Sequence, residues 1–407
     1  MARCALFLTD LFGASGVTIF DHSGYNTALP VSNVSHPLPG KVFEQLEGQH
    51  LSGNAGMFEV SSKTGLNVYI NEGAGAVTTL ITAGTYDANT LAARIQTDLR
   101  ANGSLPNAAT YFVSYNSTSR LFTVSNTGTA FILVNVNSDN VLTSECGFDA
   151  SNTASLASHK SDDERSSTIT RVIFDAGAGN VIDPDLVWTM LNSTGGTDAD
   201  AATIYNDVTV YAHATYLGQQ WAQWDGVASE TFSISDRPAE TENTVQGAVT
   251  STDTGYRYWA FFWRHVDDHT SHQIGVLRAA AALTSAVHTV REVNSHHLAN
   301  RTAPRTLENQ HPVNLLSDWR MTIELERWTA SEFRAFKVEA DRYGAADGML
   351  FSLLWTDIVA GSLTVNAQAD KGQLFYGSIV GSSTDSYAGN ESDYMSGSLD
   401  LAQLRGP

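Results

Sequence analysis

Residues 256–263 carry the feature that most constrains the fold of this 407-residue chain. They read Tyr-Arg-Tyr-Trp-Ala-Phe-Phe-Trp, and successive side chains of an extended strand point to opposite faces. Three apolar side chains therefore fall on each face: Tyr258, Ala260 and Phe262 on one, and Trp259, Phe261 and Trp263 on the other. We expect this strand to be covered on both faces, by a second sheet and by another element or subunit.

The length of the chain exceeds what one ordinary hydrophobic core supports and predicts about two to four domains. Hydrophobic residues make up 42% of it and aromatic residues 10%, so it has enough apolar material to bury. The net charge is −20, from 23 Lys and Arg against 43 Asp and Glu. Because phosphates would be repelled, we do not expect nucleic acid as a partner.

The first residues include too short an apolar run for a signal peptide, and Asp10 interrupts it. No apolar segment approaches the roughly 20 residues needed to cross a bilayer, so membrane insertion is not expected. Cys4 and Cys146 are far apart in sequence, and two free thiols are the expected state. These features predict a soluble protein made in a cytoplasm.

Short alternating runs recur between clusters of Gly, Ser, Thr, Asn and Asp, a pattern typical of a mostly β protein. We therefore predict a mainly β fold with a few helices, organised as a multidomain β-sandwich or jelly roll plus a small α+β module. The predicted strands include 17–20, 67–70, 111–115, 121–125, 130–136, 168–174, 207–212, 231–234 and 320–325.

Two segments have helical periodicity. In residues 88–100, apolar side chains recur every four positions, and Asp87 or Asn89 can cap the first turn. In residues 330–343, a similar apolar face follows a capping box that Thr329 opens. Both segments are predicted to be helices that pack on a sheet.

Residues 66–150 have the order strand, turn, helix and then a strand hairpin. Gly84, Thr85 and Tyr86 precede the helix, and the segment closes with Glu-Cys-Gly-Phe at 145–148. This order resembles a small α+β module of tailed-bacteriophage virion proteins, which often closes with Leu-Gly-Phe where this chain has Cys146. The polar residues 151–167 that follow are predicted to be a linker.

Residues 168–294 combine an Asp-Pro-Asp-Leu turn at 183–186, the run Val-Thr-Val-Tyr-Ala at 208–212, and the aromatic strand. After a polar loop comes Gln-Ile-Gly-Val-Leu at 273–277. This set resembles a discoidin-type, galactose-binding-like jelly roll. The resemblance implies that the last two strands are antiparallel neighbours, and that the module either binds carbohydrate or acts as a spacer.

Residues 1–65 and 295–407 are predicted to form one β-sandwich with a capped helix. The C-terminal part has a Trp-bearing strand at 319–328, helix 330–343, an apolar strand at 349–355 and a Tyr-Gly strand at 373–377. This order resembles tail-tube and distal tail proteins of phages. The N-terminal residues complete the sandwich in this interpretation, and the two middle modules are inserted into it.

Three groups of residues are candidates for binding. His265, His269 and His272 have side chains that suit zinc, although a solvent-facing hairpin loop explains them as well. Acidic residues of one segment suggest a calcium loop or an exposed acidic turn: Asp198, Asp200 and Asp207. Aromatic residues suggest carbohydrate contacts, with burial in a core as the alternative: Tyr216, Trp221 and Trp224.

No nucleotide-binding or hydrolase motif is present, and no pair of acids is singled out for catalysis. We expect no cofactor and no enzymatic activity. The resemblances imply a virion structural protein, made in the host cytoplasm and located at the distal tail or baseplate. There it would form a ring of its own copies and link the tail tube to the adhesion apparatus through other tail proteins.

The alternative is a carbohydrate-binding adhesin of the tail tip that recognises host surface glycan. A third interpretation is a secreted β-rich glycoside hydrolase. The apparent lack of a signal peptide in the sequence weighs against it.

Overall fold

The structure is a computed structural model. It describes the backbone of the strands named below. It also describes side chains in the following residues: 10–23, 32, 34, 58–135, 139–149, 154–165, 168–187, 209–231, 255–263 and 277–281.

In chain order, the strands are β1 (Ala5–Phe7), β2 (Thr18–His22), β3 (Phe43–Gln45), β4 (Phe58–Val60), β5 (Asn67–Asn71), β6 (Ala76–Leu80), β7 (Gly84–Tyr86), β8 (Tyr111–Asn116), β9 (Leu121–Asn126), β10 (Ile132–Leu133), β11 (Ser158–Lys160), β12 (Ile169–Asp175), β13 (Leu186–Ser193), β14 (Val208–His213), β15 (Glu230–Ile234), β16 (Thr244–Thr250), β17 (Tyr258–Arg264), β18 (His272–Ala280), β19 (Leu283–Thr284), β20 (Thr289–Leu298), β21 (Asp318–Thr329), β22 (Met349–Ser352), β23 (Phe375–Ile379), β24 (Ser386–Tyr387) and β25 (Tyr394–Gln403). The helices are α1 (Ala88–Ala101), α2 (Val141–Ser144) and α3 (Trp221–Trp224), and a 3₁₀ turn spans Ala108–Thr110.

The predicted fold class is confirmed, because the described chain is mostly β and its strands form several antiparallel sheets. Five strands in the order β15-β14-β17-β12-β2 face four strands in the order β16-β13-β18-β3. We call these two sheets the sandwich. An eight-stranded sheet has the order β19-β1-β22-β23-β25-β21-β20, with β24 paired to β25.

The aromatic strand β17 lies at the centre of the five-stranded sheet, between β12 and β14. Its inward face packs into the core between the two sheets, against Leu277 and Ala279 of β18 and Val187 of β13. The three inward aromatic side chains are Trp259, Phe261 and Trp263. Because this core excludes water from large aromatic surfaces, it supplies much of the driving force for joining the sheets.

The opposite face of β17 is also buried, as the alternation of its residues predicts. Ala260 and Phe262 contact a second core that contains Trp221 and Trp224 of α3. The cover on this face is therefore a segment of the same chain, so β17 does not need a neighbouring subunit to shield it.

The expectation that β17 and β18 are antiparallel neighbours is wrong. β17 pairs with β12 and β14, whereas β18 lies in the facing sheet and pairs with β13 and β3. Packed sheets are about 10 Å apart, a distance that a few extended residues span. In this arrangement each of the two strands has two hydrogen-bonded neighbours within its own sheet.

The N-terminal residues do not belong to one unit. β1 pairs with β19 and β22 in the eight-stranded sheet. β2 pairs with β12, and β3 pairs with β18, so both strands complete the sandwich. The structure thus divides the segment 1–65, which the sequence assigned to the C-terminal sandwich alone.

Residues 58–165 form a separate core inserted between β3 and β12 of the sandwich, and we call them the inserted module. Helix α1 packs its apolar stripe on the hairpin of β8 and β9, as predicted. Asp87 caps the helix by accepting a hydrogen bond from the Thr90 amide at 2.8 Å. The buried residues of the stripe are Ala88, Leu91, Ala92, Ile95 and Leu99.

The segment 151–167 differs from the linker that its polar composition predicts. Its residues 158–160 form β11, which pairs with β9 and closes the edge of the hairpin. His159 alone among these three is buried, and its ring packs on Phe131. A strand with one buried side chain has little hydrophobic periodicity, which explains why the sequence does not reveal it.

The Glu-Cys-Gly-Phe segment, residues 145–148, is hydrogen-bonded to the residues that follow β11. Gly147 has φ +76°, and a Cβ there would lie 2.7 Å from the carbonyl oxygen of Asp163. Its own carbonyl accepts hydrogen bonds from the amides of Asp162 and Asp163 at 2.9 and 3.0 Å. Cys146 is a free, fully buried thiol, and burial raises its pKa well above the usual value.

Helix 330–343, predicted from the sequence, lies outside the described residues, and so does the second half of the apolar run 349–355.

The cap at Asp87 can be tested with Cys146 as a probe of opening of the inserted module. In a Cys4→Ser background, Asp87→Ala should accelerate thiol labelling of Cys146 about fivefold, because losing an N-cap costs about 1 kcal/mol. Asn89→Ala is the matched control and should not accelerate labelling, since Asn89 is exposed, alanine favours the helix and Asp87 makes the capping bond. Equal acceleration by both changes would show that Asp87 is not the cap.

Candidate functional site on the outer face of the five-stranded sheet

The residues predicted to contact carbohydrate lie in one layer on the outer face of the five-stranded sheet. This outer layer comprises residues 214–228 and includes α3. Trp221 stacks on Phe262 with 5.8 Å between ring centroids, and its Nε1 donates to the Tyr211 hydroxyl at 2.7 Å. Trp224 donates its Nε1 hydrogen to the Gly218 carbonyl at 2.8 Å.

Gly218 makes this local fold feasible. Its φ is +121°, and a Cβ there would collide with the side chain of Gln223 at 2.0 Å. The Gln223 amide oxygen accepts from the Gln220 backbone amide at 2.8 Å, which holds the start of α3. The chain therefore bends back here and presents both Trp side chains to the sheet.

Trp221 and Trp224 are buried, with 3% and 0% of their surface exposed. Neither indole face is accessible to a ligand, so these two residues form a core and not a stacking platform. Tyr216 is half-buried at the rim of the same cluster. Of the three predicted contact residues, only Tyr216 reaches the surface.

Phe20 is an accessible aromatic residue that the sequence did not single out. It lies on edge strand β2, where the register with β12 shifts: Ile19 pairs with Phe174 and Asp21 pairs with Ile173. Such a bulge adds one residue and redirects its side chain. Phe20 is 47% exposed and packs edge-on against Tyr216 at 4.9 Å between ring centroids.

Next to Phe20, a buried ion pair fixes the outer layer to the sheet. Arg171 on β12 donates to Asp21 Oδ1 at 3.1 Å and to the Gln219 carbonyl at 2.8 Å. The Tyr216 hydroxyl donates to Asp21 Oδ2 at 2.6 Å. Burial raises the pKa of Tyr216, and its hydrogen bond to the Asp21 carboxylate adds to the shift.

This ion pair restricts how the outer layer sits on the sheet. Both charged side chains are almost fully buried, so removal of one partner would leave the other charge without compensation. Arg171 also reaches a backbone carbonyl of the covering segment, and it therefore joins β2, β12 and the outer layer at one point.

The inserted module contacts the outer layer through Glu59 of β4, which is 1% exposed. Its carboxylate accepts hydrogen bonds from the backbone amides of Trp221 at 2.6 Å and Ala222 at 3.1 Å. Glu59 thus satisfies two amides at the start of α3 that have no partner within the helix. Burial raises the pKa of Glu59, although these amide hydrogen bonds act in the opposite direction.

A second, exposed contact flanks Glu59. Lys63 forms an ion pair with Asp225 at 3.2 Å and lies over the Trp221 ring at 5.7 Å. The Tyr211 hydroxyl also donates to Asp225, at 3.0 Å. At the other end of the inserted module, the hydroxyl of Thr168 donates to the buried carboxylate of Glu145. Buried glutamates therefore make polar contacts near both junctions of the insertion.

The other candidate residues from the sequence cannot be placed relative to this site. His265, His269, Asp198, Asp200 and Asp207 lie outside the described residues, and only the backbone of His272 is described, in β18. Within the part of the chain whose side chains are described, no group of three or more His, Cys, Asp or Glu residues could hold a metal ion.

No protein-family model and no curated protein matches this chain. In the described part of the chain, no helix combines the length and apolar character needed to span a membrane.

The Glu59 contact can be separated from its exposed neighbour by mutation. Glu59→Ala should destabilise the protein by about 1–3 kcal/mol, because two buried amides lose their acceptor. Lys63→Ala is the matched control and should cost at most about 1 kcal/mol, since exposed ion pairs contribute little. Hydrogen exchange of the Trp221 and Ala222 amides, with thermal unfolding, measures both effects. If the Trp221 and Ala222 amides exchanged no faster in the Glu59→Ala variant than in the Lys63→Ala variant, Glu59 would not secure this contact.

Proposed function

We propose that this protein is a structural subunit of a tailed-phage virion, acting at the distal tail or baseplate without enzymatic activity. The proposal rests first on the three module resemblances in the sequence. Its mostly β, multi-sheet architecture is consistent with those resemblances. Its partners would be copies of itself in a ring and the neighbouring tail proteins.

The observation that carries the proposal is the long edge of the eight-stranded sheet. Strand β20 has ten residues, and among the described strands it pairs with β21 alone. An unpaired strand edge presents backbone donors and acceptors that another chain can use. The opposite edge of this sheet is a different strand, β19, so pairing of β20 with β19 of the next copy is heterologous and can close into a ring.

The buried contacts of the inserted module also support a building block. Glu59 fastens the inserted module to α3, and Glu145 fastens it to the residue before β12. Such contacts resist rotation of one part against another, which suits a protein whose role is to hold its neighbours in a fixed arrangement.

The charge of −20 makes salt the first variable to test. Copies repel one another at low ionic strength, and salt screens this repulsion. Sedimentation velocity should therefore show larger species as salt increases from about 20 to 500 mM. A protein that stays monomeric throughout, even with neighbouring tail proteins present, would contradict the proposal.

A variant pair tests the edge directly. Ser295→Lys places a charge on β20 and should reduce assembly, because edge charges oppose strand pairing. Ser155→Lys makes the same change at an exposed site of the inserted module and should not reduce it. Equal assembly of the two variants would exclude the β20 edge as the contact.

Carbohydrate binding is the second candidate function, and the exposed Phe20 ring favours it. Phe20 packs against Tyr216 and Tyr258, so its ring is held in place beside polar groups. An aromatic ring fixed at a surface is suited to contact the apolar face of a sugar. The protein would then act as an adhesin that recognises host surface glycan.

The full chain should be tested on host surface polysaccharide, since β2 and β3 complete the sandwich from the N-terminal side. Phe20→Ala should weaken binding at least about tenfold, the effect of losing roughly 1.4 kcal/mol of ring contact. Val227→Ala, which removes another exposed apolar side chain, should leave binding unchanged. An absence of binding, or equal binding by both variants, would exclude this site.

A further inference from the structure

The outer face of the five-stranded sheet has a row of side chains at the end where β17 begins. Strand pairing fixes this row, because Thr18 of β2 lies opposite Asp175 of β12, and Asp175 lies opposite Tyr258 of β17. Residues directly opposite in antiparallel strands project to the same face, with Cβ atoms about 5 Å apart. Tyr258 belongs to the core beneath the outer layer, which places the row on that face. We call Thr18, Asp175, Tyr258 and the adjacent Arg257 the corner row.

Arg257 is held in one orientation by two contacts. Its Nε and Nη2 donate to the two carboxylate oxygens of Asp175 at 2.7 and 2.9 Å, and its guanidinium lies 4.8 Å from the centroid of the Tyr258 ring. The Gly177 amide also donates to Asp175 Oδ1 at 2.8 Å, which fixes the carboxylate. A guanidinium has five N–H donors in one plane, and this ion pair uses two of them, so those on Nη1 point away from Asp175. The Arg257 side chain is 34% exposed and is therefore accessible to a ligand.

Phe20 places an apolar surface beside this fixed donor. Its ring is 47% exposed and lies 5.6 Å from the Tyr258 ring, measured between centroids. Phe20 and Arg257 thus contact the same tyrosine, and both reach the surface next to it. A sugar ring has an apolar C–H face and hydroxyl groups around its rim. It is recognised by an aromatic ring with polar groups fixed close to it, and the corner row with Phe20 supplies both.

Charge indicates which class of sugar fits. The hydrogen bonds from Arg257 lower the pKa of Asp175, so the carboxylate stays ionised and neutralises the guanidinium. The whole chain carries a charge of −20, which repels acidic polysaccharides. Two adjacent hydroxyl oxygens can accept hydrogen bonds from the outer N–H groups of Arg257 without bringing a charge to the site. A neutral sugar is therefore favoured over an acidic one.

We propose that the corner row and Phe20 bind a neutral hexose unit of a glycan. The sugar ring lies on Phe20, two adjacent hydroxyls accept from Arg257, and the exposed Thr18 hydroxyl makes a further hydrogen bond. Asp175 is a positioning residue that orients Arg257 and does not touch the sugar. This inference rests on the carbohydrate-binding function proposed above and adds to it the sugar class and the polar contacts.

Binding of defined sugars to the full chain tests the class. Neutral oligosaccharides built from galactose, glucose or mannose should be compared with their uronic-acid counterparts by calorimetry. At least one neutral oligosaccharide should bind about tenfold more tightly than its acidic counterpart, because only the acidic one is repelled. Its affinity should not change between about 20 and 150 mM salt, since no ligand charge is screened.

Variants of the corner row test the contacts. Arg257→Lys keeps a positive charge beside Asp175 but loses the planar fork, so binding should weaken about tenfold. Thr18→Val removes one hydroxyl at an exposed edge position and should weaken binding about fivefold. Arg94→Lys is the matched control, because Arg94 is 33% exposed and paired with Asp98 on the inserted module, and it should not change binding. Thermal unfolding of each variant shows that binding is measured on folded protein, and Thr18→Val tests the row without disturbing the ion pair.

The outcomes separate this inference from the function on which it rests. If the parent chain binds host polysaccharide and loses it in Phe20→Ala, but Arg257→Lys and Thr18→Val bind as the parent does, the corner row is excluded and carbohydrate binding stands. If the parent binds no glycan at all, both are overturned. Tighter binding of the uronic-acid oligosaccharides would contradict the neutral class.

Discussion

The packing of β17 between two layers determines the arrangement of the described residues. Its inward aromatic side chains join the two sheets, and its outward side chains carry α3 and the segment around it. A strand buried on both faces needs partners on both sides and covers above and below. These neighbours of β17 carry the polar contacts of the site. β12 carries Arg171, β14 carries Tyr211, and the outer layer carries the backbone amides that donate to Glu59.

Buried charge adds specificity to this hydrophobic arrangement. The pair of Asp21 and Arg171 fixes the outer layer, while Glu59 fixes the inserted module to that layer. Such groups contribute little net stability, because their desolvation offsets their attraction. They do make alternative arrangements costly, since any shift would leave a buried charge or amide without its partner. One fixed arrangement of sandwich and inserted module is the result.

Local patterns in the sequence were sufficient for much of this fold. Alternation in residues 256–263 predicted β17 and its two buried faces, and apolar residues at every fourth position around Leu91 predicted α1. Asp87, which caps α1, was one of two caps that the sequence allowed. The patterns failed where the outcome depended on distant parts of the chain. Nothing local distinguishes an adjacent partner for β17 from one in a facing sheet, and β11 has a single buried side chain in a polar segment.

The site residues illustrate the same limit. Burial of Trp221 and Trp224 was one of two interpretations that their sequence allowed, and only the folded chain decides between them. Phe20 and Asp21 were not anticipated, because their roles come from a bulge and from partners up to 195 residues away. Glu59 binds amides 162 and 163 residues further along the chain. Long-range pairs of this kind leave no spacing signal in one sequence.

The proposed function requires that this protein assemble with copies of itself, as a structural subunit does. Electron microscopy of the purified full chain at moderate salt tests it most directly. The account predicts closed rings in which neighbouring copies meet at the β20 edge of the eight-stranded sheet. Uniform single particles that never associate would contradict it, and so would rings in which β20 faces solvent.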